Sequence, residues 1–516
     1  MTYLTVPIAA ETIDQAVGQI TSGVAAGAEM LELRADHLAD LQPDRVPELL
    51  AYVRQAKPPS MPFIVTCRSK QQGGARAWPD DLRVDVLAAA AKNGANFIDC
   101  EYETFTQIKH QEKIRLALSN SARTRLILSA HSLKGPFPDI AALYRHITTT
   151  YPASIPKLVY TANHINDCFA ALDLLSRTSD DRIVFCMGEA GLITRIIAKK
   201  LKSYLTFASL DEDTATAPGQ LSVADIKKIY RYDDINEQTE LYGVIGYPLV
   251  HSLSPLVHNA CFAAAKMNKL YLPILIEGGR DEFDLFIDRL LARRALGFKA
   301  FSVTIPHKQN ALNYVDRKAG KIEPLAEIIG AANTLLFGPD DRTSAYNTDC
   351  QAAIDAIKTA VKNLSGITAA VIGAGGAARA LVAGLTAEGA QITIYNRTVK
   401  KAERLADEFN CQFGSLDDLK NLDAKLLVNC TSLGMFPDIE TTPIDAKRLK
   451  RGVTVFDTVY NPSETLLLRN AKKARAKTVS GLEMFINQAA AQFKLFTRQD
   501  PDLPLIRDIL SRCLTA

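Results

Sequence analysis

Residues 368–387 read TAAVIGAGGAARALVAGLTA, and this stretch decides the fold of the half of the chain that contains it. Thr368–Ile372 is a short apolar run of the kind that forms a strand buried on both faces. It passes directly into Gly373-Ala374-Gly375-Gly376-Ala377 and then into the helical stretch ALVAGLTAEG. Glycines let the backbone approach a pyrophosphate, and a helix N-terminus supplies free N–H groups and the positive end of a dipole. A bare glycine motif says little. A strand before it and a helix after it are what a doubly wound dinucleotide-binding sheet requires.

The next strand, Gln391–Asn396, selects the cofactor. A carboxylate at this strand end binds the ribose hydroxyls of NAD and repels a 2′-phosphate. The chain has Asn396-Arg397-Thr398 there, followed by Lys400 and Lys401. Arg397 attracts a phosphate with a forked set of donors, so NADP is expected. The ordinary alternative is that Arg397 is a solvated loop charge.

Outward from this core, 346–480 is expected to form the nucleotide lobe and 241–345 the lobe that precedes it. The C-terminal residues 481–516 complete that first lobe, with the helical segment Met484–Phe496 packing back on it. Tyr230–Glu240 (YRYDDINEQTE) is polar and poor in aliphatics, and reads as a linker over 230–240. The remaining 1–229 repeats a short β-branched run followed by an amphipathic helix. The strands are expected at Tyr3–Ile8, Met30–Arg34, Phe63–Arg68, Phe97–Glu101, Arg125–Ala130, Lys157–Thr161, Ile183–Met187 and Tyr204–Ala208. Helices include Thr12–Ala26, Leu82–Lys92, Ile140–Thr148, His164–Arg177 and Leu192–Lys202. About eight such units point to a closed (β/α)8 TIM barrel, with an open parallel sheet as the alternative. The whole is an α/β chain: a barrel followed by a two-lobed unit with a Rossmann lobe.

Barrel chemistry sits at the C-terminal ends of the strands. The polar residues expected there are Glu32, Arg34, Arg68, His131, Lys157, Arg195, Thr216 and Gln220. Lys157 lies in the apolar strand IPKLVY, where desolvation disfavours the ammonium, and a neutral amine attacks a ketone to form an imine. His131 suits both the removal of a carbon-bound proton and the departure of a hydroxyl, and Glu32 is placed to orient it. Arg68 and Arg195 offer forked donors to a carboxylate or hydroxyls. Singly, each residue has an ordinary explanation: a structural histidine, a Glu32–Arg34 ion pair, a lysine reaching out of a strand end. The combination at one rim favours a site.

In the second half, HSLSPLVHN carries Ser252 and Ser254, whose alternate spacing in an extended segment puts both hydroxyls on one side. SVTIPHK carries Thr304 and Lys308, GAANTL carries Asn333, and YNTDC carries Asp349. A lysine and an aspartate meeting across a cleft can share a proton with a reacting hydroxyl or carbonyl. Alone, Asp349 reads equally as a helix N-terminal residue.

The segments ELRADHL, TCRSKQQGG, ILSAHS, SIPKLVY, GLITR and TAPGQ resemble, in order and spacing, the signatures of type I 3-dehydroquinate dehydratases. The resemblance implies Lys157 as Schiff-base lysine and His131 as general acid and base, with Glu32, Arg34, Arg68, Arg195, Thr216 and Gln220 around the substrate. Two positions depart from that pattern. Gln72 stands where the family usually has a glutamate before paired glycines, and Thr216 where serine is common. The lost charge at Gln72 is expected to act on substrate affinity rather than on imine chemistry. The segments GYPLVHSLSP, FSVTIPHK, GAANT, NTDC, IGAGGAAR, NRT, NCTSLGM, DTVYNP and GLEMFINQAAAQF resemble shikimate dehydrogenases. This implies Lys308 and Asp349 as the catalytic pair, with Ser252, Ser254, Thr304, Asn333, Tyr460 and Gln488 holding substrate. Gly373–Ala377, Asn396, Arg397, Thr398, Thr431, Leu433, Gly434, Gly481 and Met484 would bind the cofactor, with hydride passing from NADPH to the ketone of 3-dehydroshikimate. The product of the first activity is the substrate of the second, as in the fused enzyme of plants and some bacteria. A quinate dehydrogenase and a non-enzymatic pathway regulator are the rival readings; retention of Lys157, His131, Lys308 and Asp349 speaks against the latter.

Composition argues against nucleic acid and membrane as partners, the resemblance implies small-molecule substrates, and the oligomeric state is left open. The net charge of +3 over 516 residues does not suit a nucleic-acid binder. No apolar run reaches the roughly 18 residues of a membrane span. Nine cysteines without a C-x-x-C pair, and a start without a targeting pattern, suit free thiols in the cytoplasm and no metal site.

Overall fold

The computed structural model describes residues 2–121, 123–211, 219–250, 252–338, 342–421 and 423–514. The chain separates into two compact units, Met1–Thr239 with Ile274–Ile276, and Glu240–Pro273 with Glu277–Ala516.

In the first unit, β1 (Tyr3–Ile8), β2 (Met30–Arg34), β3 (Phe63–Thr66), β4 (Phe97–Glu101), β5 (Arg125–Ser132), β6 (Ile155–Thr161), β7 (Ile183–Met187) and β8 (Leu205–Phe207) pair in parallel, in the order β7-β6-β5-β4-β3-β2-β1-β8. The barrel is nearly closed: the Tyr204 N–H, just before β8, donates to the Arg182 carbonyl, just before β7, at 2.7 Å. Side chains on a strand alternate between two faces, so residues two apart share the interior. The interior floor is apolar and includes Met30, Ile64, Phe97, Ile127, Ile155, Ile183 and Leu205. Two residues further along each strand stand Glu32, Thr66, Asp99, Ser129, Lys157, Phe185 and Phe207. The polar layer thus rests on a packed floor at the carboxyl end of the strands.

The helix expected over Leu192–Lys202 is α-helical only through Ile196 and continues as turns. The stretch read as a linker is not a free tether. Tyr230, Tyr232 and Ile235 are buried, the Tyr232 hydroxyl donates to the Thr2 carbonyl at 3.1 Å, and Lys200 Nζ donates to the Glu237 carbonyl. Its aromatic rings supply apolar surface that a count of aliphatics overlooks.

The second unit holds two sheets. β9 (Glu240–Gly246), β10 (Lys269–Leu275), β11 (Phe298–Val303), β12 (Lys321–Ile322), β13 (Thr334–Phe337) and β14 (Thr343–Tyr346) form a mixed sheet in the order β10-β9-β11-β13-β14-β12, with β13 antiparallel to both neighbours. β15 (Thr368–Ile372), β16 (Gln391–Tyr395), β17 (Gln412–Gly414), β18 (Leu426–Asn429), β19 (Thr454–Asp457) and β20 (Lys477–Ser480) form a parallel sheet in the order β17-β16-β15-β18-β19-β20. That order reverses direction between β15 and β18, the crevice where a doubly wound sheet takes its ligand. The helix Gly481–Thr497 packs back on the mixed sheet: Gln492 Nε2 donates to the Asn333 carbonyl at 3.1 Å and accepts at Oε1 from Ser302 Oγ at 2.8 Å.

Candidate active sites

Lys157 is 3% exposed, yet its surroundings are not apolar. Its Nζ donates to Asp99 Oδ2 at 2.8 Å and to Glu32 Oε1 at 3.2 Å, and lies 4.8 Å from the centre of the Phe207 ring. Two carboxylates therefore face the buried amine, which corrects the expectation of apolar surroundings. Asp99 and Ser129 lie inside their strands and Glu101 ends β4; none of the three stands among the residues expected from the sequence. The signal was present: an aspartate inside FIDCE, a parallel strand buried on both faces, must meet a cation.

Arg68 is fully engaged: it donates to Asp99 at 2.8 Å, Glu101 at 3.2 Å and Ser129 Oγ at 2.6 Å. Burial works against its charge, but Asp99, Glu101 and Glu32 outweigh it and raise its pKa above the ordinary value. Burial also disfavours the Asp99 carboxylate, yet Arg68 and Lys157 hold it well below the usual range. Arg68 is thus a fixed counter-charge rather than a free fork. Arg34 forms a two-bonded pair with Asp36, at 2.9 and 2.7 Å, not with Glu32. Arg195 differs from both. It is 2% exposed, lies over the Phe185 ring at 4.5 Å and has no ion pair among the described residues; burial pulls it down to about 10.

His131 is not oriented by Glu32, whose Oε1 accepts from Lys157 and from Thr66 Oγ1 at 2.8 Å. Gln72 takes that place: its Oε1 lies 2.9 Å from the His131 backbone N and 3.2 Å from Nδ1. Burial, with the cations Arg68 and Lys157 beside it, pushes the imidazole well below its ordinary value and keeps it neutral. Glu32, Arg34, Arg68, His131, Lys157, Arg195 and Gln220 all line one cavity of about 260 Å3, together with Gln72. Thr216 lies outside the described residues.

In the second unit the turn after β11 delivers Lys308 as the first residue of the helix Lys308–Arg317, and Asp349 opens the helix Asp349–Lys358. They meet at 2.6 Å, Lys308 Nζ to Asp349 Oδ2. Asn347, overlooked in the sequence, fixes the aspartate: its Oδ1 accepts from the backbone N–H groups of Asp349 and Cys350 at 3.0 and 3.2 Å. Asn333 is buried and already bonded, donating to Thr348 Oγ1 and accepting from the Thr348 N–H, both at 2.9 Å. Both bonds brace the loop that carries Asp349. Thr304 sits in the turn before Lys308, its N–H donating to the Ile245 carbonyl.

Ser252 and Ser254 do not share an extended segment. Leu253 has helical angles, φ −82° and ψ −4°, and Ser254 opens the helix Ser254–Ala264, so the period of two does not apply. No hydrogen bond among the described residues links Ser252, Ser254, Thr304 or Tyr460 to the Lys308–Asp349 pair. Gln488 donates to the Phe485 carbonyl and accepts, through its own carbonyl, from Thr348 Oγ1 at 3.4 Å. The Tyr460 ring packs on Phe485 at 4.7 Å, and burial raises its hydroxyl to about 12.

The dinucleotide cradle can be tested on its own geometry. Gly373 adopts φ +116°, and a Cβ there would lie 2.9 Å from the Cys430 carbonyl oxygen. Gly375 faces open space and caps the helix Gly376–Ala387 with no side chain, which leaves that helix's first N–H groups for an anion. A Cβ on Gly376 would lie 3.3 Å from Lys308 Cδ, so the glycine turn adjoins the Lys308–Asp349 pair. Arg397 and Thr398 are exposed at the end of β16, where Asn396 Nδ2 braces the turn by donating to the Thr398 carbonyl at 2.9 Å. Arg397 has no bonded partner among the described residues. Thr431 Oγ1 donates to Asn429 Oδ1 at 2.7 Å and accepts from the Leu433 N–H at 3.2 Å, and Asn429 Nδ2 donates to Asp457 at 2.9 Å; burial raises that carboxyl to about 6. Gly434 has φ +89° in the same loop. Gly481 starts its helix where a Cβ would strike the Thr458 carbonyl, and Met484 is only 8% exposed, part of the Rossmann core. These features fit a dinucleotide carrying a 2′-phosphate.

Comparison with known proteins gives the family. The family model of type I 3-dehydroquinase matches residues 4–237, that of the shikimate dehydrogenase substrate-binding domain 244–335, shikimate/quinate 5-dehydrogenase 355–434, and the shikimate 5′-dehydrogenase C-terminal domain 481–510. The chloroplastic bifunctional 3-dehydroquinate dehydratase/shikimate dehydrogenase of Arabidopsis thaliana is 35% identical over 98% of this chain and 84% of its own length. The chain belongs to the bifunctional 3-dehydroquinate dehydratase/shikimate dehydrogenase family. The second unit of this family member is also 40% identical to the NADP(+) shikimate dehydrogenase of Methanosarcina barkeri, over 53% of this chain and 99% of that one. A shikimate dehydrogenase crystallised with NADP+ superimposes with a TM-score of 0.50 at 37% identity, covering 55% of this chain and 98% of its own.

Proposed function

We infer that the chain dehydrates 3-dehydroquinate to 3-dehydroshikimate in the barrel and reduces 3-dehydroshikimate to shikimate with NADPH in the second unit. The observation that carries the first half is a buried lysine in one cavity with a neutral histidine and an arginine that has no ion pair among the described residues. Lys157 bonds to the substrate ketone as a Schiff base. It first gives up a proton, for which Glu32 is an acceptor within hydrogen-bond reach, while Asp99 stays its counter-charge. Loss of water from the resulting carbinolamine leaves an iminium that withdraws electrons from the adjacent carbon. Neutral His131 removes the proton from that carbon and returns it to the departing hydroxyl, so that water leaves. Hydrolysis of the imine frees the product and restores Lys157. Arg195 receives the substrate carboxylate, and Arg34 and Gln220 line the same wall.

In the second unit, Gly373–Ala377 with the helix N-terminus hold the pyrophosphate, and Asn396, Arg397 and Thr398 the 2′-phosphate. Thr431, Leu433, Gly434, Gly481 and Met484 border the nicotinamide end. NADPH, when bound, supplies the hydride. Lys308 donates a proton to the ketone oxygen, Asp349 holds the amine in place, and Ser252, Ser254, Thr304, Asn333, Tyr460 and Gln488 surround the substrate. Residues 1–229, 241–345 with 481–516, and 346–480 are the corresponding functional segments. Nine free cysteines suit a reducing cytoplasm, and no helix among the described residues is long and apolar enough to cross a membrane.

A coupled assay tests the whole: 3-dehydroquinate with NADPH is expected to oxidise the nucleotide. Lys157→Ala should abolish that signal and leave the reduction of added 3-dehydroshikimate intact; Lys308→Ala should do the reverse at the second step. Borohydride with 3-dehydroquinate should add the ligand's mass to Lys157, and a wild-type protein left unlabelled while turning over would remove the imine mechanism.

A further inference from the structure

Gln72 has a place in the barrel site that its neutral side chain makes unusual. It ends the 3-10 turn Lys70–Gln72, closed by Gly73 at φ +90°, and lines the same cavity as Lys157. A carboxamide carries an acceptor and a donor that are hard to tell apart by shape, but here the backbone decides. The His131 main-chain N–H is always a donor, so the atom 2.9 Å from it must be the amide oxygen. The same oxygen lies 3.2 Å from Nδ1, so Nδ1 carries the ring proton. Nε2 is then the basic nitrogen.

We propose that Gln72 is a positioning residue for His131, fixing the Nδ1–H tautomer through its amide oxygen while withholding the negative charge that would favour the imidazolium. The reading rests on His131 being the acid and base of the dehydratase, and it replaces the expectation that Gln72 acts on substrate affinity. The charged groups facing the ring are Arg68 on the β3 end, Lys157 on β6 and Arg34 on β2, against Asp99 on β4. Glu32 and Arg195 line the same cavity. Three of the four groups acting on the ring are cations, so a carboxylate at position 72 would change the local balance. A neutral amide leaves the histidine ready as a base at lower pH.

The test is the pH dependence of dehydratase kcat/KM in the full chain, which reports the base in the free enzyme. Gln72→Glu keeps an acceptor oxygen and adds charge, so its acid limb should move upward by about one pH unit. Gln72→Ala loses the acceptor, and kcat should fall about tenfold with KM little changed, without that upward shift. Nitrogen-15 shifts of His131, assigned against His131→Asn, should show the Nδ1–H form in wild type and Gln72→Glu, and a tautomer mixture in Gln72→Ala. Trp78 fluorescence in urea reports that the barrel of each variant is folded. An unmoved acid limb in Gln72→Glu, or a loss confined to KM in Gln72→Ala, overturns the role of Gln72. Absence of borohydride labelling at Lys157 in wild type would instead overturn the site reading.

Discussion

Asp99 joins the two strongest cations of the barrel, accepting from Lys157 and Arg68 at 2.8 Å each and from Ser129 Oγ at 2.6 Å. Removing one partner of a buried ionic cluster leaves the others without compensation, at a cost of about 3–5 kcal/mol. Asp99→Asn is therefore expected to destabilise the barrel by about 3 kcal/mol and to abolish dehydration, while reduction of 3-dehydroshikimate persists. Trp78, the single tryptophan, lies in the barrel unit, so its fluorescence in urea reads that loss selectively. A midpoint equal to wild type would mean that Asp99 is not the counter-charge of Lys157. At this scale the sequence showed residue types but not pairings: Lys157, His131 and Arg195 were legible, whereas Gln72 at His131 and Asp36 at Arg34 were not, because no pattern specifies which loop folds over which strand end.

The element that matters most in the second unit is the strand, turn and helix from Thr368 to Ala387. Its turn depends on Gly373, where φ +116° is unfavourable to a side chain and a Cβ would crowd the Cys430 carbonyl at 2.9 Å. Gly373→Ala is expected to cost about 1–3 kcal/mol and to raise the KM for NADPH about tenfold or more. Steady-state kinetics with 3-dehydroshikimate checks this, and borohydride labelling of Lys157 should stay at the wild-type level. An unchanged KM would show that the turn tolerates a side chain where the cofactor lies. This element was legible in full, because strand, glycines and helix are adjacent in sequence. The Ser252–Ser254 segment was misread at the same scale: two serines two apart look alike in a strand and at a helix start until the backbone angles of Leu253 separate them.

Across the molecule, each unit contains a histidine kept neutral by burial. His131 lies in the barrel, and His258, stacked on Tyr271 at 4.4 Å, lies in the second unit, where burial lowers it to about 3. In both, the folded state binds its proton less readily than the unfolded chain, whose histidines titrate near 6.5. Below that pH the unfolded state gains protons that the folded one does not, so stability falls with acidification by about 1.4 kcal/mol per pH unit and per histidine. Asp99, held below its ordinary value, adds a loss of the same sign lower in the acid range. Urea midpoints from Trp78 fluorescence for the barrel, and from circular dichroism for the whole chain, should both decrease between about pH 7.5 and about pH 5.5. His131→Asn should flatten the first and His258→Leu the second; steep slopes retained in these variants would refute the assignment.

The sequence by itself determined the two α/β architectures and the preference for NADP, because these follow from periodicity and from neighbours along the chain. It also set out Lys157, His131, Lys308 and Asp349 as separate residues. Tertiary structure alone decided that Lys157 sits between Asp99 and Glu32, that Gln72 rather than Glu32 holds His131, and that Lys308 meets Asp349 at 2.6 Å. Those partners are 41 to 125 positions apart. Their meeting is imposed by barrel closure and by the packing of the two lobes, which fix distances that local patterns do not contain.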